Sequence, residues 1–226
     1  MLTIANVEIF GYKAAIRGMR NPMNSWSKSD SNADLIGQND EQLMLALAKA
    51  PEERKYLRMI HVQFDVTAPL YWWKEFDTYK VGTVSNSCST MHKIHSKEFD
   101  VNDFSHEHIE ELDGDEYNMS YDWLLRTVDI LNYYRKKYNT ASEKLKSDIT
   151  DAERKHVLAQ RKLFWQQMIQ LLPSSYNQRR TIDLNFEVLL KQYRERKNHK
   201  LDEWHIYCDW IKEITLLNEI IKKYGY

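Results

Sequence analysis

A chain of 226 residues that is 42% hydrophobic and 29% charged can bury a sizeable core, which argues against wholesale disorder. A formal net charge of −1 argues against the global basic field of a dedicated nucleic-acid binder. Six Gly and 4 Pro against 7 Trp and 14 Tyr favour long regular elements, mostly helices. The only cysteines, Cys88 and Cys208, imply neither a disulfide framework nor a CxxC zinc motif. The N-terminus lacks the apolar run of a signal peptide and no stretch reaches transmembrane length. The expectation is a soluble cytoplasmic protein with neither membrane nor nucleic acid as partner.

In chain order, "TIANVEIFGY" alternates well enough for a strand over 3–12, and "KAAIRGMR" reads as a short helix closed by Asn21-Pro22. "NSWSKSDSNADLIGQND" is a loop by composition, and "DEQLMLALAKA" a helix ending before Pro51. "RMIHVQFDVTAP" is the clearest strand, with Ile60, Val62, Phe64 and Val66 on one face and His61, Gln63, Asp65 and Thr67 on the other. Thr67 is placed to cap a helix with Pro69 in its first turn, running through "LYWWKEFDTYK" and dying at Gly82. The small polar residues that follow read as a ligand-facing loop, and 92–114 as irregular and acidic.

Two long helices come next, about 120–138 and, from the capping box Thr150-Asp-Ala-Glu153, on to Leu172 before Pro173. "RTIDLNF" is a short strand with Asp183 and Asn185 on its polar face. Helices over about 187–197 and 201–223 complete the chain. The whole is read as a single domain, 1–226, containing a helical pair at about 118–172.

Several residues invite chemistry and have a plainer reading beside it. His92-x-x-His95 and His106-Glu107-His108, with Glu110 and Glu111, offer metal-ligand types, but their spacing fits no metal motif and none is assigned. Cys88 is a small buried residue unless a catalytic His faces it. Arg196 in "YRERK" is an ordinary basic helix end. Of adjacent Trp72 and Trp73, one helix face buries only one, so the other needs a neighbour that oligomerisation would supply.

Three blocks nevertheless give the chain a resemblance to the flavin-dependent thymidylate synthases. "VQFDVTAPLYWWKEFDTYK" is similar to the family's strand, Ala-Pro and helix leading into its signature loop. "LLPSSYNQRRTIDLNFEVLLKQYRERKNHKLDEWHI" resembles its Leu-Pro stop, Asn-bearing strand, helix with Arg, and His-containing loop. "IFGYKAAIRGMRNPM" is similar, more weakly, to its first strand and helix. The signature Arg-His-Arg-x-x-Ser-x-Asn-x-x-Ser-x-Arg departs: laid on without gaps it meets Thr78, Tyr79, Lys80, Thr83, Ser85, Cys88 and Thr90, none identical. The upstream Gln becomes Glu75, and the Arg that the family uses on substrate phosphate falls near Ile169 or Gln170.

The resemblance implies an α/β fold, a small, largely antiparallel sheet with long helices, assembled as a homotetramer. It implies FAD as cofactor, NADPH and methylenetetrahydrofolate as co-substrates, and a pyrimidine nucleotide, dUMP or a relative, as substrate. Arg196 would be the catalytic residue, stabilising negative charge on the pyrimidine. Glu75, Asn86, Ser87, Cys88 and Ser89 would bind substrate, the backbone amides of 86–89 forming an anion nest. Thr78, Tyr79, Lys80, Asn185 and His199 would contact the flavin. The alternative is a family member that has lost catalysis and serves as a binding or regulatory oligomer.

Overall fold

The computed structural model describes residues 2–32, 35–109 and 119–226. Their order is β1 (Thr3–Phe10), α1 (Tyr12–Arg20), α2 (Gln38–Leu47), β2 (His61–Pro69), α3 (Leu70–Phe76), β3 (Thr83–Ser87), α4 (Thr90–Lys93), α5 (Met119–Lys144), α6 (Asp151–Leu171), β4 (Asn177–Asn185), α7 (Phe186–Arg196), α8 (Asp202–Glu213) and α9 (Thr215–Tyr224). The strands form one antiparallel sheet in the order β1-β2-β4-β3. β1 lies against β2 with Thr3 opposite Thr67 and Phe10 opposite His61. The ladder slips between Ala5 and Glu8, where Asn6 takes the left-handed conformation open to Asn.

The chain divides into two compact units, Leu2–Thr67 with Lys74–Asn86 and Arg180–Tyr226, and Ala68–Trp73 with Ser87–Arg179. In the first, the alternation of β2 does what it predicts: Ile60, Val62, Phe64 and Val66 are buried, as are Ile182 and Leu184 of β4. An aromatic layer packs with them. Phe64 meets Trp210 at 4.6 Å and Tyr207 at 6.4 Å between ring centroids, and Phe76 stacks on Trp204.

The second unit is built on α5 and α6, which pack along each other. Leu124, Val128 and Leu131 recur at helical spacing and bury against Met168, Ile94, Phe99 and Phe104. α6 starts at the expected capping box: Thr150 Oγ1 accepts from Glu153 N–H and the Glu153 carboxylate accepts from Thr150 N–H. Asn132 ties the incoming segment down, its amide exchanging hydrogen bonds of 2.9 and 2.8 Å with the Phe99 backbone.

Five local expectations are corrected. β2 extends through Pro69, so Thr67 pairs within the sheet and caps nothing. α3 stops at Phe76, six residues short of Gly82, because Tyr79 turns inward and the chain closes with Thr78 N–H to Glu75 O and Tyr79 N–H to Phe76 O. The presumed ligand loop begins as edge strand β3, since its small polar residues suit an exposed edge. The single helix expected over 201–223 is two, broken at Ile214, which is extended and buried with no Pro or Gly to announce it. Trp72 and Trp73 are both buried within the chain, Trp73 Nε1–H donating to Gln178 O at 2.9 Å, so neither requires a subunit neighbour. Among the described residues, no helix is long and apolar enough to cross a membrane.

Candidate functional site

The first unit gathers Glu75, Tyr79, Arg196 and His199 into one cluster. The Glu75 position follows from α3, Tyr79 from the turn after it, and Arg196 and His199 from the end of α7 and the loop beyond. Arg196 Nη1 donates to Glu75 Oε2 at 2.7 Å and Arg196 Nε to Tyr79 Oη at 2.9 Å. The guanidinium lies 4.8 Å from the Trp204 ring centroid and 5.6 Å from that of Tyr79, both cation–π distances. Its side chain is 19% exposed, so it is no solvated helix end.

Among the described residues Glu75 Oε2 takes three donors: Arg196, His199 Nε2 at 3.0 Å and Trp204 Nε1–H at 3.2 Å. Leu201 N–H donates to His199 Nδ1 at 3.1 Å. Nε2 is then the ring nitrogen that donates to Glu75. Arg196 and Glu75 bring one positive and one negative charge to the cluster. Tyr79 Oη donates onward to Glu195 at 2.8 Å, and burial raises its hydroxyl to about 12, against the lowering pull of Arg196, so it remains a phenol.

Beside this cluster a cleft of about 250 Å³ is lined by Phe76, Asp77, Tyr79, Lys80, Thr83 and Ser85. Thr83 Oγ1 is buried there with no hydrogen-bond partner among the described residues. Lys80 and Thr78 are exposed at its edge, Thr78 Oγ1 bonding back to Glu75 O at 2.7 Å. An exposed ammonium and an unsatisfied hydroxyl on an aromatic wall can donate to an anionic group, beside the Asp77 carboxylate that Arg180 Nη1 pairs at 2.7 Å. Gly82 has φ of +74°, and a Cβ there would lie 2.9 Å from Asn185 Nδ2. Asn185 is largely spent on structure, its Oδ1 capping α7 by accepting from Val188 N–H at 3.1 Å.

Of the expected substrate set, Glu75 and Asn86 belong to the first unit and Ser87, Cys88 and Ser89 to the second. The expected anion nest is not formed: Cys88 N–H donates to Arg179 O at 2.9 Å, Cys88 O accepts from Gln178 Nε2, and Ser89 Oγ accepts from His92 N–H. The ladder holds this backbone extended, so its amides do not converge. Cys88 is exposed rather than buried. Among the described residues no three His, Cys, Asp or Glu side chains stand together as a metal-holding group, and Glu110 and Glu111 lie outside the described residues. Glu195 and Trp204 were missed by sequence reasoning although both lie in the block similar to the family, and Thr83 was laid on a signature Ser without its orphaned hydroxyl being foreseen.

A four-stranded antiparallel sheet with long helices in this order is a flavin-dependent thymidylate synthase-like fold. The chain is similar to flavin-dependent thymidylate synthase ThyX of Helicobacter pylori complexed with FAD and dUMP, at TM-score 0.62 and 14% identity over 93% of this chain and 92% of that one. It is similar, at TM-score 0.59 and 12% identity over 100% of this chain and 96% of the other, to the UMP/dUMP methylase PolB of Streptomyces cacaoi bound with 5-Br dUMP. No family model matches the chain, and no curated protein matches it by sequence.

Proposed function

We propose that the chain is a divergent flavin-dependent thymidylate synthase-like enzyme. It would transfer a one-carbon unit from methylenetetrahydrofolate to a pyrimidine nucleotide, dUMP or a relative. One observation carries this reading: two enzymes of this fold, matched over nearly their whole length, are bound with deoxyuridine nucleotides, dUMP and 5-Br dUMP, and ThyX also with FAD. FAD, reduced by NADPH, would supply the hydride that completes the transferred group. Lys80 and the Thr83 hydroxyl would hold phosphoryl oxygens, with Thr78 and Tyr79 beside them and Asn185 and His199 behind.

Arg196 would present its guanidinium to the pyrimidine and stabilise charge that develops on the ring. Glu75 would fix the guanidinium plane through its 2.7 Å contact, and His199 and Trp204 would fix Glu75. Within the first unit, Asn86 would line the substrate with its side chain. A homotetramer in the cytoplasm is the assembly and setting of this reading.

The same pair favours a second reading. A carboxylate at 2.7 Å already compensates Arg196, so less of its charge remains for a substrate, as expected of a binding or regulatory protein that has lost catalysis. Incubating the protein with FAD, NADPH, methylenetetrahydrofolate and dUMP or UMP, then weighing the nucleotide by mass spectrometry, separates the two. A nucleotide gaining one carbon supports the enzyme; unchanged nucleotides together with retained flavin-free binding support the second.

A further inference from the structure

In the first unit, α1 and the segment between α1 and α2 enclose a cavity of about 290 Å³ that shares no lining residue with the Glu75–Arg196 cluster. Its volume lies at the lower end of the ~300–1,000 Å³ of small-molecule sites, so its occupant is small. Lys13, Arg17 and Arg20 follow helical spacing and set three cations on one face of α1, along the cavity. Arg20 is buried and already spent, its Nε donating to Asp40 Oδ1 at 2.6 Å. Lys13 and Arg17 are exposed and pair with no carboxylate among the described residues, and no carboxylate lines the cavity. Two cations are therefore open to an anionic group.

The loop side of the lining has the reverse polarity. Asp40 Oδ2 accepts from the hydroxyls of Ser29 and Ser31 at 2.7 Å each, and from the Asp30 and Ser31 backbone N–H groups at 3.2 Å. Each hydroxyl has given its one proton to Asp40 and has only lone pairs left for a ligand. Ser31 Oγ also accepts from Gly37 N–H at 2.9 Å, which leaves Ser29 Oγ the freer acceptor. Two apolar surfaces complete the lining: the buried Ile16 and the Trp26 ring. Trp26 is 52% exposed, and its Nε1–H is tied to Asn21 Oδ1 at 2.8 Å, so an open indole face is held in place.

We infer that this cavity binds an aromatic α-amino acid, with its carboxylate on Lys13 and Arg17, its ammonium on the Ser29 and Ser31 oxygens and its ring against Trp26 and Ile16. An ammonium has three donors and no acceptor, which matches hydroxyls that can only accept. A phosphate presents acceptors on every side and would meet the serine lone pairs unfavourably. A purely apolar ligand would gain nothing from Lys13 and Arg17, and a polar one without a ring nothing from Trp26. The inference does not draw on the nucleotide function proposed above, and the two stand or fall separately.

The test is isothermal titration of the full chain with L-phenylalanine and with four probes that each remove one feature. N-acetyl-L-phenylalanine lacks the ammonium, L-phenylalanine amide the carboxylate and glycine the ring, and inorganic phosphate keeps only the negative charge. The expected result is that phenylalanine binds and every other probe binds about tenfold or more weakly. Lys13→Ala/Arg17→Ala should weaken phenylalanine by about tenfold or more, and Trp26→Ala by about fivefold. All three side chains are exposed, and thermal melting verifies that the variants fold. The probe series on wild type decides the matter even where a variant does not. Phenylalanine that fails to bind, or binds wild type and the double variant equally, overturns the site. N-acetyl-L-phenylalanine binding as tightly as phenylalanine overturns the seat for the ammonium, and phosphate binding more tightly overturns the amino acid in favour of a plain anion.

Discussion

Arg196 and Glu75 lie 121 residues apart in sequence and meet at 2.7 Å, a guanidinium and a carboxylate with side chains 19% and 34% exposed. Arg196→Ala leaves Glu75 with only its His199 and Trp204 donors and empties the space between Tyr79 and Trp204. We expect loss of turnover together with a stability loss of about 2 kcal/mol, below the full cost of breaking a buried pair because solvent reaches both groups. Arg196→Lys should recover much of the stability, measured by urea unfolding, but not turnover, since a point charge does not replace the planar fork. An active Arg196→Ala protein would remove the catalytic role assigned to it.

Asp40 gives the fold an acid limit. It is fully buried, and burial raises its pKa, but Ser29, Ser31 and the Arg20 guanidinium at 2.6 Å outweigh that and hold the carboxyl at about 2. The unfolded value is about 3.9. A folded pKa below the unfolded one contributes stability that is complete above about pH 4 and is lost as pH falls towards 2. Asp40→Asn should cost about 3 kcal/mol at neutral pH and flatten the acid slope, as read from unfolding curves over that window.

The two cysteines should be easy to tell apart. Cys208 is 3% exposed and burial pushes its thiol up to about 12, whereas Cys88 is exposed. A thiol reagent at neutral pH should label one cysteine per native chain and both in denaturant, and Cys88→Ser should abolish the native label. Rapid labelling of both in the native protein would contradict the packing of α8.

Gly82→Ala forces a side chain into a left-handed backbone at φ +74°, with its Cβ 2.9 Å from Asn185 Nδ2 and 3.3 Å from Val188 Cγ2. A loss of about 1–2 kcal/mol follows from the strain and from pressure on the α7 cap. Unchanged stability in chemical denaturation would contradict a left-handed backbone at Gly82 packed on Asn185.

Where one residue's neighbours in sequence decide its state, the sequence was readable. The alternation of Ile60, Val62, Phe64 and Val66 gave the sheet's buried face, and Thr150 with Glu153 gave the start of α6. What was illegible depends on distant partners. α3 ends early because Tyr79 reaches Glu195 and Arg196, more than a hundred residues on, and the helix break at Ile214 comes from a buried side chain and no breaker residue. Ser and Asn in β3 read as loop because edge strands tolerate polar residues on both faces. At the site, similarity to a family pointed to Arg196 and Glu75, but that they neutralise each other, with His199 as third party, needed coordinates.

The central claim, a nucleotide enzyme that works with a flavin, is tested most directly by the visible spectrum of the purified protein, taken before and after excess FAD and desalting. A flavin band that survives desalting, and weakens in Lys80→Ala, is the predicted result. A colourless protein that retains no FAD at any stage would contradict the redox account, and Arg196 would then be the structural partner of Glu75 alone.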